Sequence, residues 1–284
     1  MSTQDYIKKL ERDLVLKNYS PRSIATYTAH VRQFLNHFEG QPPETVTNEQ
    51  IKDYIYNMLR KQKYSASWVR GAFGAFKYFY HYTLAMEKDF SGFPIPKLPQ
   101  KLPVILSHQE ILSMLKATSN LKHSSILMLL YTSGLRISEL LNLNVKDIDS
   151  SRMLVRVRAG KGQKDRYTIL SAECLELLRR YWTKYRPKDW LFEGMKPHSR
   201  YSCTSVRQIL KKSLKRAGIT KAGVCVHSLR HSFATHLLEQ GADIVQVRNL
   251  LGHTSIKTTM RYLHVRKIKQ FSGKHPLDAL LSTC

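Results

Sequence analysis

Apolar residues recur at three- and four-residue intervals along most of the chain, which predicts a mainly helical protein. Residues 1–40 read as helix. Ile24, Tyr27, Val31, Phe34, Leu35 and Phe38 share a face, and Ser20-Pro21 supplies an N-cap followed by proline at the first helical position. Gly40 and Pro42-Pro43 end it. A second helix is predicted over Asn48–Lys61, entered through Thr47 or Asn48 with Glu49 and Gln50 in the first turn. A third, over Ser65–Met86, is crowded with Trp68, Phe73, Phe76, Tyr78, Phe79, Tyr80 and Tyr82. Such a stripe reads as a core face, some members of which could instead meet a partner.

Helical spacing then stops. Pro94, Pro96, Pro99 and Pro103 fall within eleven residues and favour an extended, semi-rigid tether. The expected division is therefore a helical domain over 1–92, a linker over 93–103 and a second domain over 104–284. Ser107 with Glu110 three residues on forms a capping box for a helix opening at His108, and an apolar helix follows over His123–Ser133. The period then changes to two. Met153–Arg158 alternates apolar and basic residues, Gly160–Asp165 turns, and Arg166–Leu170 returns, which predicts a β-hairpin with a polar tip. Beyond it the pattern is helical again, interrupted near Ser171, Pro187, Gly218, Gly241 and Gly252. The fold class is mainly α with a small β-hairpin or sheet (α+β), and no repeat or low-complexity run is present.

Composition narrows the partners. The 284 residues suffice for one large or two ordinary domains, and 42% hydrophobic content argues against disorder. Forty-six Lys and Arg against 21 Asp and Glu give a formal charge of +25, which points to a polyanion, nucleic acid ahead of a membrane surface. No apolar run reaches the 18 or so residues of a membrane span. The N-terminus, MSTQDYIKKLERDL, has no apolar core of a secretory signal. Cys174, Cys203, Cys225 and Cys284 lack CxxC spacing, so reduced thiols in a cytoplasmic, nucleoid-associated protein are expected rather than a disulfide framework or a zinc site.

Three segments of the second domain could carry chemistry. In Thr132–Leu140, Arg136 follows a glycine break and opens a helix with Glu139 one turn later; read alone, this is a surface ion pair. In Val226–His236, His227 and Arg230 stand three apart and can converge on one ligand, a phosphate with an acid or base beside it. His227 and His231 also have the spacing of a HExxH zinc motif, but Ser228 stands where the glutamate belongs. Leu250–Tyr262 ends in a tyrosine preceded by a polar helix. Gly160-Lys161-Gly162 does not complete a phosphate-binding P-loop.

Taken in order, Arg136, His227-x-x-Arg230, Gly252-His253 and Tyr262 resemble the tyrosine recombinases, also called the phage integrase family. The resemblance covers nearly the whole chain. It implies that the first domain is a core-binding domain and the second a catalytic one, with Lys161 matching the family's β-hairpin lysine and Lys164 as its rival. The short span from Arg136 to His227 looks like the compact Xer type, whereas Lys274–Leu280 resembles the tail of integron and other mobile-element integrases. The subfamily stays open.

A phosphodiester resists attack because its oxygens are anionic, so a cleaving enzyme must neutralise charge, supply a nucleophile and protonate the leaving alkoxide. Arg136 and Arg230 can each donate paired N–H groups to nonbridging oxygens, and Glu139 can hold Arg136 in place. Tyr262 would be the nucleophile. Its phenol, with an ordinary pKa of about 10, needs help in losing its proton, and His227 is the expected base. By resemblance, Lys161 would protonate the departing 5′ oxygen and His253 would hydrogen-bond a nonbridging oxygen. The product would be a 3′-phosphotyrosyl linkage, and strand exchange would pass through a Holliday junction without metal, ATP or other cofactor.

The implied partner is double-stranded DNA carrying a specific, inverted-repeat site. Four protomers would assemble on it, with weak association or a monomer in its absence. A second recombinase or an accessory protein stays open as a partner. Candidate DNA contacts are Arg22, Arg70 and Lys77 in the first domain and Arg207, Lys211, Lys212 and Lys257 in the second; each by itself is an ordinary surface charge. Two other functions compete: a relaxing enzyme like the type IB topoisomerases, and a DNA-binding protein without chemistry.

Overall fold

The structure is a computed structural model, and it describes residues 1–60, 64–93, 95–96, 102–158, 165–196 and 198–263. The chain divides into two compact units, Met1–Gln100 and Lys101–Cys284. The division falls inside the proline-rich stretch.

The first unit is helical. Helix α1 (Thr3–Leu16) is capped by Ser2 in a capping box with Asp5 and buries Tyr6, Ile7, Leu10 and Leu14. Helix α2 (Pro21–His37) is capped by Ser20 and buries His30, Val31, Phe34 and Leu35. The expected continuous helix over 1–40 is thus two. Proline at 21 cannot donate a helical hydrogen bond and pushes residue 20 out of the helical region, while Asn18 turns the chain with φ +56°. Helix α3 (Asn48–Arg60) follows, and Thr47 and Gln50 exchange the hydrogen bonds that cap it.

Helix α4 (Ala66–Tyr78), capped by Ser65, ends earlier than expected. The chain continues as one wider π turn over Phe79–Thr83, closed by Leu84 N–H donating to the Phe79 carbonyl at 2.9 Å. The extra residue in that turn seats Phe79, Tyr80 and Thr83 inward together, and the Tyr80 hydroxyl reaches the Pro43 carbonyl at 2.8 Å. Most of the aromatic stripe is therefore core: Phe34 lies 4.7 Å from Phe76 and edge-on to Tyr54 at 5.6 Å. Phe93, expected in the linker, belongs to this core, 5.4 Å from Phe73.

The second unit surrounds a helix buried on nearly every side. Helix α5 (His108–Lys116) opens with the Ser107–Glu110 capping box, and α6 (Leu121–Thr132) starts at Asn120, a few residues before the expected point. After the short α7 (Ile137–Leu141) comes a three-stranded antiparallel sheet. Its strands are β1 (Ile148–Asp149), β2 (Leu154–Val157) and β3 (Arg166–Ile169), with Val155 opposite Thr168 and Val157 opposite Arg166. Alternation turns Val155 and Val157 inward and Arg156 out. The two-residue β1 is too short to leave a period in the sequence.

Helices α8 (Ala172–Tyr185), α9 (Cys203–Arg216), α10 (Val226–Glu239), α11 (Ile244–Leu251) and α12 (Ile256–Met260) complete the described part. Helix α10 contributes Leu229 to the main core and Phe233, Ala234 and Leu238 to a second cluster that includes Val247, Leu251 and Tyr262. Burial from both sides explains why α10 carries polar residues such as Ser228, Ser232 and Thr235 inside, where ordinary amphipathic spacing would place none. None of the helices among the described residues is long and apolar enough to cross a membrane.

Candidate active site

The site begins at the turn leaving α6. Ser133 Oγ donates to the Ile169 carbonyl at 2.7 Å, and Thr168 Oγ1 donates back to the Ser133 carbonyl at 2.9 Å, so the turn is sewn to β3. Gly134 follows with φ +58°; a Cβ there would stand 2.3 Å from the Phe233 ring. Only glycine fits both the backbone and the space.

Arg136 then caps α7. Its own N–H donates to Glu139 Oε2 at 2.7 Å and its guanidinium to Oε1 at 2.6 Å. The same carboxylate takes a two-pronged bond from Arg166 of β3, 2.9 Å at each oxygen. Arg230 of α10 lies 3.7 Å from Oε2. Burial would raise the Glu139 carboxyl, but the hydrogen bonds and charge of Arg166, with Arg136 behind them, hold it down at about 2. Arg230 is 1% exposed and donates to the Gly134 carbonyl at 2.6 Å and the Leu251 carbonyl at 2.5 Å. Burial and the neighbouring Arg136 lower it to about 10, which leaves it charged at neutral pH.

The tyrosine approaches from the other end of the unit. Helix α11 ends at Gly252, φ +62°, where a Cβ would meet the Arg166 side chain at 2.7 Å. His253 Nδ1 pairs with the buried Thr259 hydroxyl at 2.9 Å, and its ring lies nearly parallel to that of Tyr262, 6.3 Å away. Tyr262 is 3% exposed. Its hydroxyl sits 3.0 Å from His231 Nδ1, within the field of the Arg230 charge. Burial raises the phenol above its ordinary value although Arg230, Arg261 and Arg136 pull the other way, so it is protonated. Burial also lowers His231 to about 4 and His253 to about 3, with nearby cations adding to both. His227 keeps an exposed edge, but the groups packed around the rest of its ring desolvate it, and this with Arg230 and Arg136 lowers it.

These features have counterparts in known proteins. Residues 105–268 match the phage integrase family and residues 6–89 its N-terminal SAM-like domain. The chain belongs to the phage integrase family. A putative integrase/recombinase of Sinorhizobium fredii is 40% identical over 276 residues, 96% of this chain and 88% of that protein. The tyrosine recombinase XerA of Pyrococcus horikoshii is 33% identical over 264 residues, 92% and 89% of the two chains. The fold is shared with the crystal structure of the XerH site-specific recombinase bound to difH, at a TM-score of 0.74 and 20% identity, over 99% of this chain and 84% of that one. The protein is a tyrosine recombinase, an enzyme class that breaks and rejoins DNA.

Within this recombinase, Glu139 joins Arg136 and Arg230, Tyr262 lies in the field of both arginines with the His253 ring parallel to its own, and His227 stands beside them. Lys161 and Lys164 lie outside the described residues. His227 is exposed and meets the His231 ring edge-on at 5.0 Å. Arg207, Lys211 and His227 line one groove of about 840 Å³ together with Lys215. Lys212 turns to another depression, beside His123 and Arg216. Lys257 is exposed on α12. In the first unit Arg22, Arg70 and Lys77 are all exposed; Arg70 donates to the Pro96 carbonyl at 3.2 Å, and Lys77 lies 5.1 Å over Phe73.

Two residues of the site escape sequence reasoning. Arg166 appears in the sequence as one more cation opening a strand, and His231 as half of a failed zinc motif. Nothing local marks either. Among the described residues, His108, His236 and Glu239 also bring ligand atoms within 4.8 Å of one another. The two rings stack nearly parallel at 3.7 Å, which does not aim their in-plane lone pairs at one ion, and His236 Nδ1 is already paired with the Tyr131 hydroxyl at 2.9 Å.

Proposed function

We propose that this tyrosine recombinase cuts and rejoins duplex DNA at a specific site, with Tyr262 as the nucleophile. The observation that carries the reading is the buried Tyr262 hydroxyl in the field of Arg230, a guanidinium anchored on two backbone carbonyls. A phosphodiester bound to Arg136 and Arg230 would present its phosphorus to the phenol with its charge already neutralised. Glu139 keeps both arginines in position without discharging them, since its carboxyl stays ionised. His227 and His253 border the same space and supply further polar contacts. Lys161 is assigned the proton for the departing 5′ oxygen.

Attack forms a 3′-phosphotyrosyl bond and frees a 5′-hydroxyl. The linkage conserves the energy of the broken bond, so a 5′-hydroxyl from a second duplex can restore DNA without ATP. Two such rounds pass through a Holliday junction, on a site with inverted repeats and four protomers. The net charge of +25, with Arg207, Lys211, Lys257 and the cations of the first unit, supports a binding step that weakens steeply as salt rises.

The test needs no guessed substrate. Wild type and Tyr262→Phe are expressed in the native host, the cells are lysed in denaturing detergent, and DNA that stays with the protein is sequenced. Attachment by wild type alone, concentrated at one inverted-repeat sequence, is expected. Scattered attachment would favour a relaxing enzyme, and attachment by Tyr262→Phe would overturn the nucleophile.

A further inference from the structure

We infer that His231 is the group that takes the proton from Tyr262, a catalytic role the sequence pattern would give to His227. The inference rests on Tyr262 being the nucleophile. The contact at the phenol carries it. Among the described residues, the Tyr262 hydroxyl makes its hydrogen bond with His231 Nδ1, at 3.0 Å. The cations that act on the phenol, Arg230, Arg261 and Arg136, have only N–H groups and cannot take its proton. For the phenol to donate to His231, the neutral imidazole carries its own proton on Nε2 and presents a lone pair at Nδ1. Burial, with His227, Arg261 and Arg230 adding to it, favours this neutral form.

The placement is fixed as well. His231 follows Arg230 directly on α10, so the helix that positions a phosphate-binding guanidinium also positions the proton acceptor. Its ring sits 5.5 Å from the Tyr262 ring, tilted by 51°. His227, one turn earlier, is exposed and lines the groove with Arg207 and Lys211, a position that suits it to the DNA phosphate.

In the cleavage step the Tyr262 oxygen bonds to phosphorus while its proton passes to His231 Nδ1. The bond from phosphorus to the 5′ oxygen breaks, and that oxygen is protonated by the general acid assigned to Lys161. In rejoining, a 5′-hydroxyl attacks phosphorus, the tyrosine oxygen leaves, and His231 returns the proton to it. Incoming phosphate adds negative charge beside the imidazole and so favours its protonated form as the reaction proceeds.

Asparagine can accept the phenol hydrogen bond from about the Nδ1 position but cannot hold the proton. The experiment measures single-turnover covalent attachment to a nicked suicide duplex bearing the sequence on which the wild-type chain is trapped. His231→Asn is expected to bind this duplex as wild type does and to attach roughly a hundredfold more slowly. Replacing Tyr262 in that variant by 3,5-difluorotyrosine, whose more acidic phenol needs less help, is expected to restore much of the rate. A 5′-thio leaving group, which needs no proton, is expected to rescue Lys161→Ala and not His231→Asn. An attachment rate within a few-fold of wild type would overturn the proposal, and so would a loss that the acidic phenol leaves unchanged, because a merely structural defect would persist. His231→Gln serves if the asparagine variant does not fold. No attachment by wild type itself, or attachment by Tyr262→Phe, would instead remove the nucleophile on which the proposal stands.

Discussion

Arg230 and Tyr262 are both almost wholly buried, yet opposite kinds of group hold them. On the arginine side every partner is charged or a carbonyl, and each group is held more than once: Glu139 binds Arg136 and Arg166, while Arg230 binds two carbonyls. On the tyrosine side the links are single hydrogen bonds between neutral groups, His253 to Thr259 and His231 to Tyr262. The difference follows from what each side does. Charges that receive a phosphate act best when already oriented, since no reorganisation then accompanies the transition state. A nucleophile must stay protonated until the phosphate arrives, and burial among neutral imidazoles keeps it so.

The contrast is sharpest in stability. Glu139→Ala would strand Arg166 and Arg136 without their carboxylate, and an expected loss of about 3–5 kcal/mol in urea unfolding follows from breaking a buried ion pair. A loss under about 1 kcal/mol would mean that the network is not the frame of the site. Gly134→Ala comes next. Its φ of +58° and the 2.3 Å approach to Phe233 predict a destabilisation of about 2–3 kcal/mol, read as a lowered unfolding midpoint.

Acid should weaken the tyrosine side first. His231 and His236 titrate near 4 and His253 near 3 when folded, against 6.5 in an unfolded chain. Between those values the unfolded chain binds more protons, so the stability these residues contribute is full above about pH 6.5 and is lost as pH falls through 4 and 3. Glu139, near 2 when folded and 4.5 unfolded, adds its own loss only below about pH 4.5. The unfolding midpoint is expected to fall from pH 7 to pH 5, before any carboxylate contributes; a flat profile over that range would contradict the neutral histidines. Smallest in stability is Tyr262→Phe, which removes one hydroxyl and its bonds, for about 1 kcal/mol, while abolishing covalent attachment.

The parts of the site legible in the sequence are those written by local geometry. A glycine break before an arginine that caps its own helix, a histidine and an arginine three apart, a glycine ending a helix before His253, and a tyrosine nine residues on from His253 are all short-range patterns. Arg166 and His231 were not legible as site residues, because their partners are 27 and 31 residues away and are chosen by how β3 and α12 meet the rest of the unit. The same holds for the fold. Caps at Ser20 and Ser107 could be read directly, whereas the π turn at Phe79–Thr83 and the seating of Phe93 answer to packing in three dimensions.

The most direct test of the account is chemical. Protein trapped on DNA in detergent is digested with nuclease and protease, and the peptide bearing a residual nucleotide is sequenced by mass spectrometry, while the freed DNA end is offered to a 5′ kinase. The account predicts a 3′-nucleotide on Tyr262 and a 5′-hydroxyl that the kinase labels without prior dephosphorylation. A nucleotide on any other residue, or a blocked 5′ end, would contradict it.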